Sequence, residues 1–215
     1  MFISTHAYSA QVLGQRESET LPTFMQDLQH LRQLQAAWAN SKITQRTAQL
    51  LALAERIEAN KPELAVAVCM EVGRCLRECE AEIDKTVDLI RYYAKLAPEL
   101  LDSKTITTQA SLSQVRFEPL GVVLAVMPWN YPVWQIMRFA VPALCAGNAC
   151  LVKPAPSVAQ VTAKLMALVD EAMPLHASYI EHDLIETAIE HADAMAFTGS
   201  TDTGRYLASL AGKHI

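Results

Sequence analysis

Three short stretches carry residue types that can bind or polarise a ligand. In "VMPWNYPVWQ", residues 126 to 135, one amide side chain, Asn130, stands between Pro128-Trp129 and Tyr131-Pro132. Prolines extend neither a strand ladder nor a helix interior, and each restricts the residue before it, so this segment reads as a stiff turn presenting Asn130 at a fixed point. In "LVKPAPS", Lys153 ends an apolar run. An ammonium there can donate to the hydroxyls or phosphates of a nucleotide, or can snorkel to water. In "FTGSTDTG", Gly199 and Ser200 separate a strand pattern from a helix start. Backbone N–H groups at a helix N-terminus attract anions and small residues let a phosphate approach, although glycine and serine are also ordinary turn residues. The dinucleotide fingerprint G-x-G-x-x-G is absent.

After Asn130, the residues Tyr131, Trp134 and Arg138 fall at i, i+3 and i+7, which puts two aromatics and a guanidinium on one helical face. Such a face suits a planar carboxylate beside an apolar passage, and equally suits an amphipathic helix with a solvated arginine. Cys75 and Cys79, at i and i+4, can seat two metal ligands, but a structural zinc needs four and no histidine pair is near. They read as packing thiols, as do Cys145 and Cys150, and no metal is expected. His6, His30, His176, His182, His191 and His214 form neither a Ser-His-Asp arrangement nor a metal-type spacing. The local chemistry is that of a nucleotide site without a nucleophile.

The elements that must hold these residues change character along the chain. Phe24, Leu28, Leu31, Leu34 and Trp38 recur at helical spacing behind Pro22; Ser41 is expected to cap a second helix, with Ile43, Leu50, Leu51, Ala54 and Ile57. A third helix carries Ala65, Val68 and Val72 and ends at Gly73. A fourth carries a stripe from Leu76 to Ala97 and is expected to stop near Pro98. Residues 98–120 are polar, β-branched and alternating, an arm of one or two extended strands. From Gly121 the rhythm is strand "GVVLAVM", helix, strand "ACLVKP", a helix at about 157–172, a strand near "SYIEH", helix "DLIETAIEHA", strand "AMAFTGS" and a last helix. That alternation means right-handed crossovers and a parallel sheet, with ligands beyond the carboxyl ends of its strands. The expected fold is therefore α/β: N-terminal helices over 1–97, the arm over 98–120, and a partial parallel Rossmann-like sheet over 121–215.

Composition narrows the partners. The 215 residues are 51% hydrophobic and 19% charged, as in ordinary globular chains. A net charge of −5 without a Lys/Arg run argues against nucleic acid and against an anionic membrane surface. "MFISTHAYSAQVLGQRESET" lacks the basic region of a targeting segment, no span of about 18 apolar residues occurs, and an odd number of cysteines fits reduced thiols. A cytoplasmic location is expected.

Taken in order, "FEPLGVVLAVMPWNYP", "PALCAGNACLVKPAPS" and "FTGSTDTGRYLASLAG", with "ELAVAVCMEVGR" in the helical half, resemble the NAD(P)-dependent aldehyde dehydrogenase superfamily over nearly the whole chain. The resemblance implies that Asn130 donates to the oxyanion formed when a catalytic cysteine attacks an aldehyde, a preorganised electrostatic contribution of about 3–4 kcal/mol in enzymes of similar logic. It further implies that Lys153 holds the adenosine ribose, that Gly199 and Ser200 meet the pyrophosphate, and that Phe197, Val126, Met127, Pro128 and Trp129 line the cofactor crevice. Arg138 falls where succinate-semialdehyde dehydrogenases place an arginine for the distal carboxylate, with Tyr131 and Trp134 at the aldehyde's entrance. Pro156 replaces a glutamate that would repel a 2′-phosphate, so either NAD or NADP fits. The family's "ELGG" strand with its general base, and its nucleophilic cysteine, fall after Ile215. The expectations are a chain truncated before the catalytic domain and inactive alone, a possible homo-oligomer or pairing with a complementing fragment, or else a non-catalytic NAD(P)-binding or interaction module or a truncated gene product.

Overall fold

The computed structural model describes residues 1–214. It opens with an antiparallel hairpin, β1 (Phe2–Thr5) and β2 (Val12–Arg16), which the sequence reading did not anticipate. The helices α1 (Leu21–Asn40), α2 (Ile43–Ala59), α3 (Lys61–Val72) and α4 (Leu76–Leu100) follow. The helical spacing seen in the sequence is the buried stripe: Phe24, Leu28, Leu31 and Trp38 on α1, and Cys79, Ile83, Val87, Ile90, Ala94 and Ala97 on α4. Gly73 closes α3 in the left-handed region at φ +84°, where its N–H donates to the Cys69 carbonyl at 2.9 Å.

After α4 an exposed arm contains two two-residue strands, β3 (Lys104–Thr105) and β4 (Gln114–Val115), paired antiparallel. The sheet then forms from β5 (Val122–Val126), β6 (Ala149–Lys153), β7 (Leu175–Ala177) and β8 (Ala194–Phe197), all parallel, in the order β7-β6-β5-β8. Its connections are α5 (Pro132–Cys145), α6 (Ala159–Met166) and α7 (Ile185–Glu190), and α8 (Thr201–His214) follows β8. Side chains alternate across the sheet, as a pleated strand requires. Ala125, Cys150 and Val152 pack with α2 to α6, whereas Val122, Leu124 and Leu151 pack with α1, α7 and α8. Both faces are covered, which is why these strands read as continuous apolar runs. Among the described residues, no helix is long and apolar enough to cross a membrane.

Several expected boundaries move. Ser41 does not cap α2; it follows α1, its hydroxyl donating to the Trp38 carbonyl at 2.6 Å, and Lys42 holds the capping position. α4 runs through Pro98 to Leu100, because a proline in the last turn costs only one of the final hydrogen bonds. Tyr131 precedes α5 with φ −140° and ψ 68°, outside the helical region, so only Trp134 and Arg138 stand on the helix itself. α6 ends at Met166 rather than near 172, and β7 lies at 175–177, before "SYIEH". Cys75 is exposed and does not pack in the core, unlike Cys79, Cys145 and Cys150. Val115 and Phe117 are exposed along with the rest of the arm.

A Cβ at Gly73 would stand 2.8 Å from Cβ of Ala7 in the β1–β2 loop, on a backbone that L side chains rarely adopt. Gly73→Ala should therefore lower the unfolding free energy in urea by about 1–3 kcal/mol. Gly212→Ala, with open space around its Cβ position on α8, should not lower it.

Candidate functional site

The sheet register brings three strand ends level. Val126 of β5 is opposite Lys153 of β6 on one side and Phe197 of β8 on the other. The alignment continues one residue further: Met127 N–H donates to the Lys153 carbonyl at 3.0 Å and Thr198 N–H to the Val126 carbonyl at 3.2 Å. The segments the sequence singled out thus leave adjacent strands at the same height, about 5 Å apart. Met127 is buried, Val126, Pro128 and Phe197 are half-buried, and Trp129, Asn130, Gly199 and Ser200 are exposed beyond them.

The helix start after β8 differs from its two neighbours. The first N–H groups of any helix lack partners within it and make a positive end. At α5, Val133 and Trp134 N–H donate to Oε1 of Glu82 at 2.9 and 3.0 Å; at α6, Gln160 and Val161 N–H donate to Glu71 at 3.1 and 2.8 Å. At α8, no buried carboxylate arrives among the described residues. Ser200 caps it with a neutral hydroxyl that accepts from Thr203 N–H at 3.3 Å, and Asp202 points out to Arg205 at 3.3 Å. This end can still take an anion. Gly199 also has a packing reason: a Cβ there would meet the Phe197 ring at 2.5 Å, so the ring and the turn above it need a residue without a side chain.

Lys153 is largely buried along its stem. It is 5% exposed, its Nζ 5.8 Å from the centroid of Phe2, whose strand folds over it. Burial pulls its pKa below the ordinary 10.5, and attraction to Glu181 partly restores it. Glu181, which the sequence reading missed, accepts from Ser18 Oγ at 2.6 Å. Its carboxyl is held below the usual range by that bond and by the N-terminal ammonium, the larger of the two causes.

Asn130, Tyr131 and Trp134 line one cleft of about 540 Å³ together with Gln135 and, from α4, Glu78, Ala81, Glu82 and Lys85. The guanidinium of Arg74 lies over the Tyr131 ring at 4.0 Å and the Lys85 ammonium over the Trp134 ring at 4.0 Å. Arg74 also pairs with the buried Glu82. Arg138 is exposed on a different part of the edge, with Nη2 3.5 Å from Thr198 Oγ1, beside Gly199. Glu82, Arg74, Lys85 and Phe2 were not found by sequence reasoning. One signal existed for Glu82: an acid adjoining Ile83 and three residues after Cys79, on the apolar stripe of α4.

The thiols lie elsewhere. Burial pushes Cys79 and Cys145 up to about 11, and Cys150 higher still, so none is poised as a thiolate. Cys69 and Cys75 sit at the α3–α4 corner. A larger groove of about 700 Å³ runs along β7, where Glu19, Asp27 and His176 bring ligand atoms within 4.8 Å of one another. The oxygens of Glu19 there already accept from Ser178 Oγ and Tyr179 N–H, both at 2.6 Å.

A parallel α/β sheet with charged and amide side chains gathered on its carboxyl edge defines a nucleotide-binding class of architecture. Within that class, the sequence pattern of the aldehyde dehydrogenase family matches residues 4–215, and the chain belongs to this family. It is 32% identical over 205 residues to a succinate-semialdehyde dehydrogenase [NADP(+)] of Deinococcus radiodurans, an alignment that covers 93% of this chain and 42% of that protein. It is 33% identical over 160 residues to succinate semialdehyde dehydrogenase [NAD(P)+] Sad of Escherichia coli, covering 72% of this chain and 35% of that one. The crystal structure of the Streptococcus pyogenes succinic semialdehyde dehydrogenase in complex with NADP+ superposes with a TM-score of 0.93 at 26% identity, over 100% of this chain and 49% of that one. The chain thus spans less than half the length of these relatives.

Lys153 gives the site a measurable signature. Its ammonium is costly to bury without ligand, so Lys153→Met should stabilise the ligand-free protein by about 1 kcal/mol at neutral pH. Because the folded pKa is lowered, the unfolded chain binds more protons between that value and 10.5, and wild-type stability from this group rises with pH across the interval. The gap between the two proteins in urea denaturation should narrow as pH approaches 10.

Proposed function

We propose that this chain is the cofactor-binding part of a semialdehyde dehydrogenase, with succinate semialdehyde as the substrate and NAD or NADP as the oxidant. The observation that carries this reading is the level edge at which β5, β6 and β8 end, with Asn130, Lys153 and the Gly199–Ser200 turn all beyond it. The fit to a dinucleotide rests on two features of that edge. The start of α8 has donors that no buried carboxylate satisfies, and Lys153 is a largely buried lysine at the end of β6 whose charge is partly sustained by Glu181. Lys153 would hold the adenosine ribose and the N–H groups after Gly199 and Ser200 the pyrophosphate, with Val126, Met127, Pro128, Trp129 and Phe197 forming the walls. A dinucleotide held there would supply the hydride acceptor.

Asn130 is exposed at the tip of its turn, free to donate its amide to a developing oxyanion. Arg138 offers a guanidinium to the carboxylate at the other end of a semialdehyde, and Tyr131 and Trp134 line the approach. The net reaction converts aldehyde, NAD(P)+ and water to carboxylate, NAD(P)H and two protons. It needs a thiolate and a base beside Asn130. Cys79, Cys145 and Cys150 are buried, and the family resemblance places neither group at Cys69 or Cys75, which supports a nucleophile and a base supplied from outside residues 1–214. The outer edge of β8 is unpaired among the described residues and is where a complementing segment or second chain would add a strand. A non-catalytic nucleotide-binding module is the alternative that the same crevice supports.

Calorimetric titration of the purified chain with NAD+ and NADP+ should give one site for at least one of them, weakened about tenfold or more in Lys153→Ala. Absence of binding to either nucleotide would overturn the reading. The chain alone should not turn over succinate semialdehyde; turnover above blank would show that the nucleophile lies within it.

A further inference from the structure

The Asn130 turn has no strand or helix of its own to fix it, and the residues that follow Asn130 are held from outside by one ion pair, Glu82 and Arg74. Glu82 of α4 has a fully buried carboxylate, 0% exposed. One oxygen accepts from the first-turn N–H groups of Val133 and Trp134, at 2.9 and 3.0 Å; the other pairs with Arg74. Arg74 in turn lays its guanidinium over Tyr131, the residue next to Asn130, 4.0 Å from the ring centroid. Tyr131 occupies the capping position of α5 but makes no side-chain capping bond, so Glu82 supplies from another helix what the local sequence lacks.

We infer that Glu82 is a positioning residue for Asn130, with Arg74 as its second arm. The carboxylate clamps the first turn of α5 on one side of the Tyr131-Pro132 step, and the stacked guanidinium clamps Tyr131 on the other. Asn130 is then left a single orientation relative to the sheet edge. The catalytic meaning of this rests on the reading of Asn130 as an oxyanion donor; the positioning itself does not. Arg74 Nε and Nη1 have no hydrogen-bond partner among the described residues, so its only buried counter-charge is Glu82. The pair is therefore strongly coupled, and neutralising either member loosens both clamps.

The chain contains three tryptophans, which report on this directly. Trp129 and Trp134 flank Asn130, whereas Trp38 is 4% exposed and donates to the Leu144 carbonyl at the far end of α5, at 2.8 Å. With 5-fluorotryptophan incorporated, Glu82→Gln should shift or broaden the fluorine resonances of Trp129 and Trp134 and leave Trp38 in place. Amide exchange at Val133 and Trp134 should rise about tenfold, the size of one lost charge-assisted hydrogen bond. Unmoved Trp129 and Trp134 resonances would overturn the inference, and so would an equal change at Trp38, which would mean general loosening. Should Glu82→Gln fail to fold, Glu82→Asp keeps the charge but cannot reach both partners, and the same selective pattern is required of it. Nucleotide binding measured on the same samples separates the two readings. A chain that binds no nucleotide yet shows the selective change sinks the function and leaves the positioning role; binding with unmoved resonances does the reverse.

Discussion

The N–H groups that begin α5 and α6 have no partners inside their own helices, and carboxylates from the preceding helical layer meet them. Glu82 reaches Val133 and Trp134; Glu71 reaches Gln160 and Val161. Burying a carboxylate is costly, and at Glu71 burial pushes the pKa upward, against the two N–H bonds that favour the anion. The cost is tolerated because each bond joins an element of the first hundred residues to a helix of the sheet. The apolar cluster follows the same path, running from α2, α3 and α4 into α5 and α6. The helical half is thus a wall of the ligand edge.

Those two plugs make the third helix start informative. A glutamate at the N-terminus of a sheet helix consumes the positive end that would otherwise attract an anion. α5 and α6 are consumed in this way, while α8 is capped by the neutral Ser200. The positive potential of the edge therefore concentrates at the Gly199–Ser200 turn and at Lys153, on either side of β5. On a protein with a net charge of −5, that local reversal of sign is what an anionic dinucleotide requires.

How much of this could be read from the sequence depends on whether the cause was local. The parallel sheet and its alternating helices were legible because both sheet faces are buried and the strands stay apolar throughout. The positions of Lys153, Gly199 and Asn130 were legible because they stand at, or two and four residues after, the end of such a strand. Two boundaries slipped even though their causes are local: the Trp38 carbonyl takes the Ser41 hydroxyl three residues on, and α4 passes through Pro98 in its last turn. The β1–β2 hairpin was missed because half of its residues face solvent and its core contact, Phe2 against Tyr179 at 5.6 Å, spans most of the chain. Glu82 and Arg74 were missed for the same reason. Val133, Trp134 and Tyr131, which they hold, lie more than fifty residues away, and nothing beside them in the sequence marks a charge as buried.

The neutrality of Asn130 follows from the same arrangement of charge. A cation at that position would hold an oxyanion more strongly, but it would also attract the carboxylate of a semialdehyde and bind the substrate end for end. On the proposed reading an amide would donate to the oxyanion without competing for a full negative charge, and Arg138, eight residues on, would be the cation that selects the distal end. Orientation on this reading is a difference between two donors rather than a property of either. It survives only while the distance between them is fixed, and that distance runs through the Tyr131-Pro132 step and the first turn of α5. Since those residues are held by Glu82 and Arg74 of the helical layer, the proposed discrimination between the two ends of a semialdehyde would be set from outside the segment that performs it.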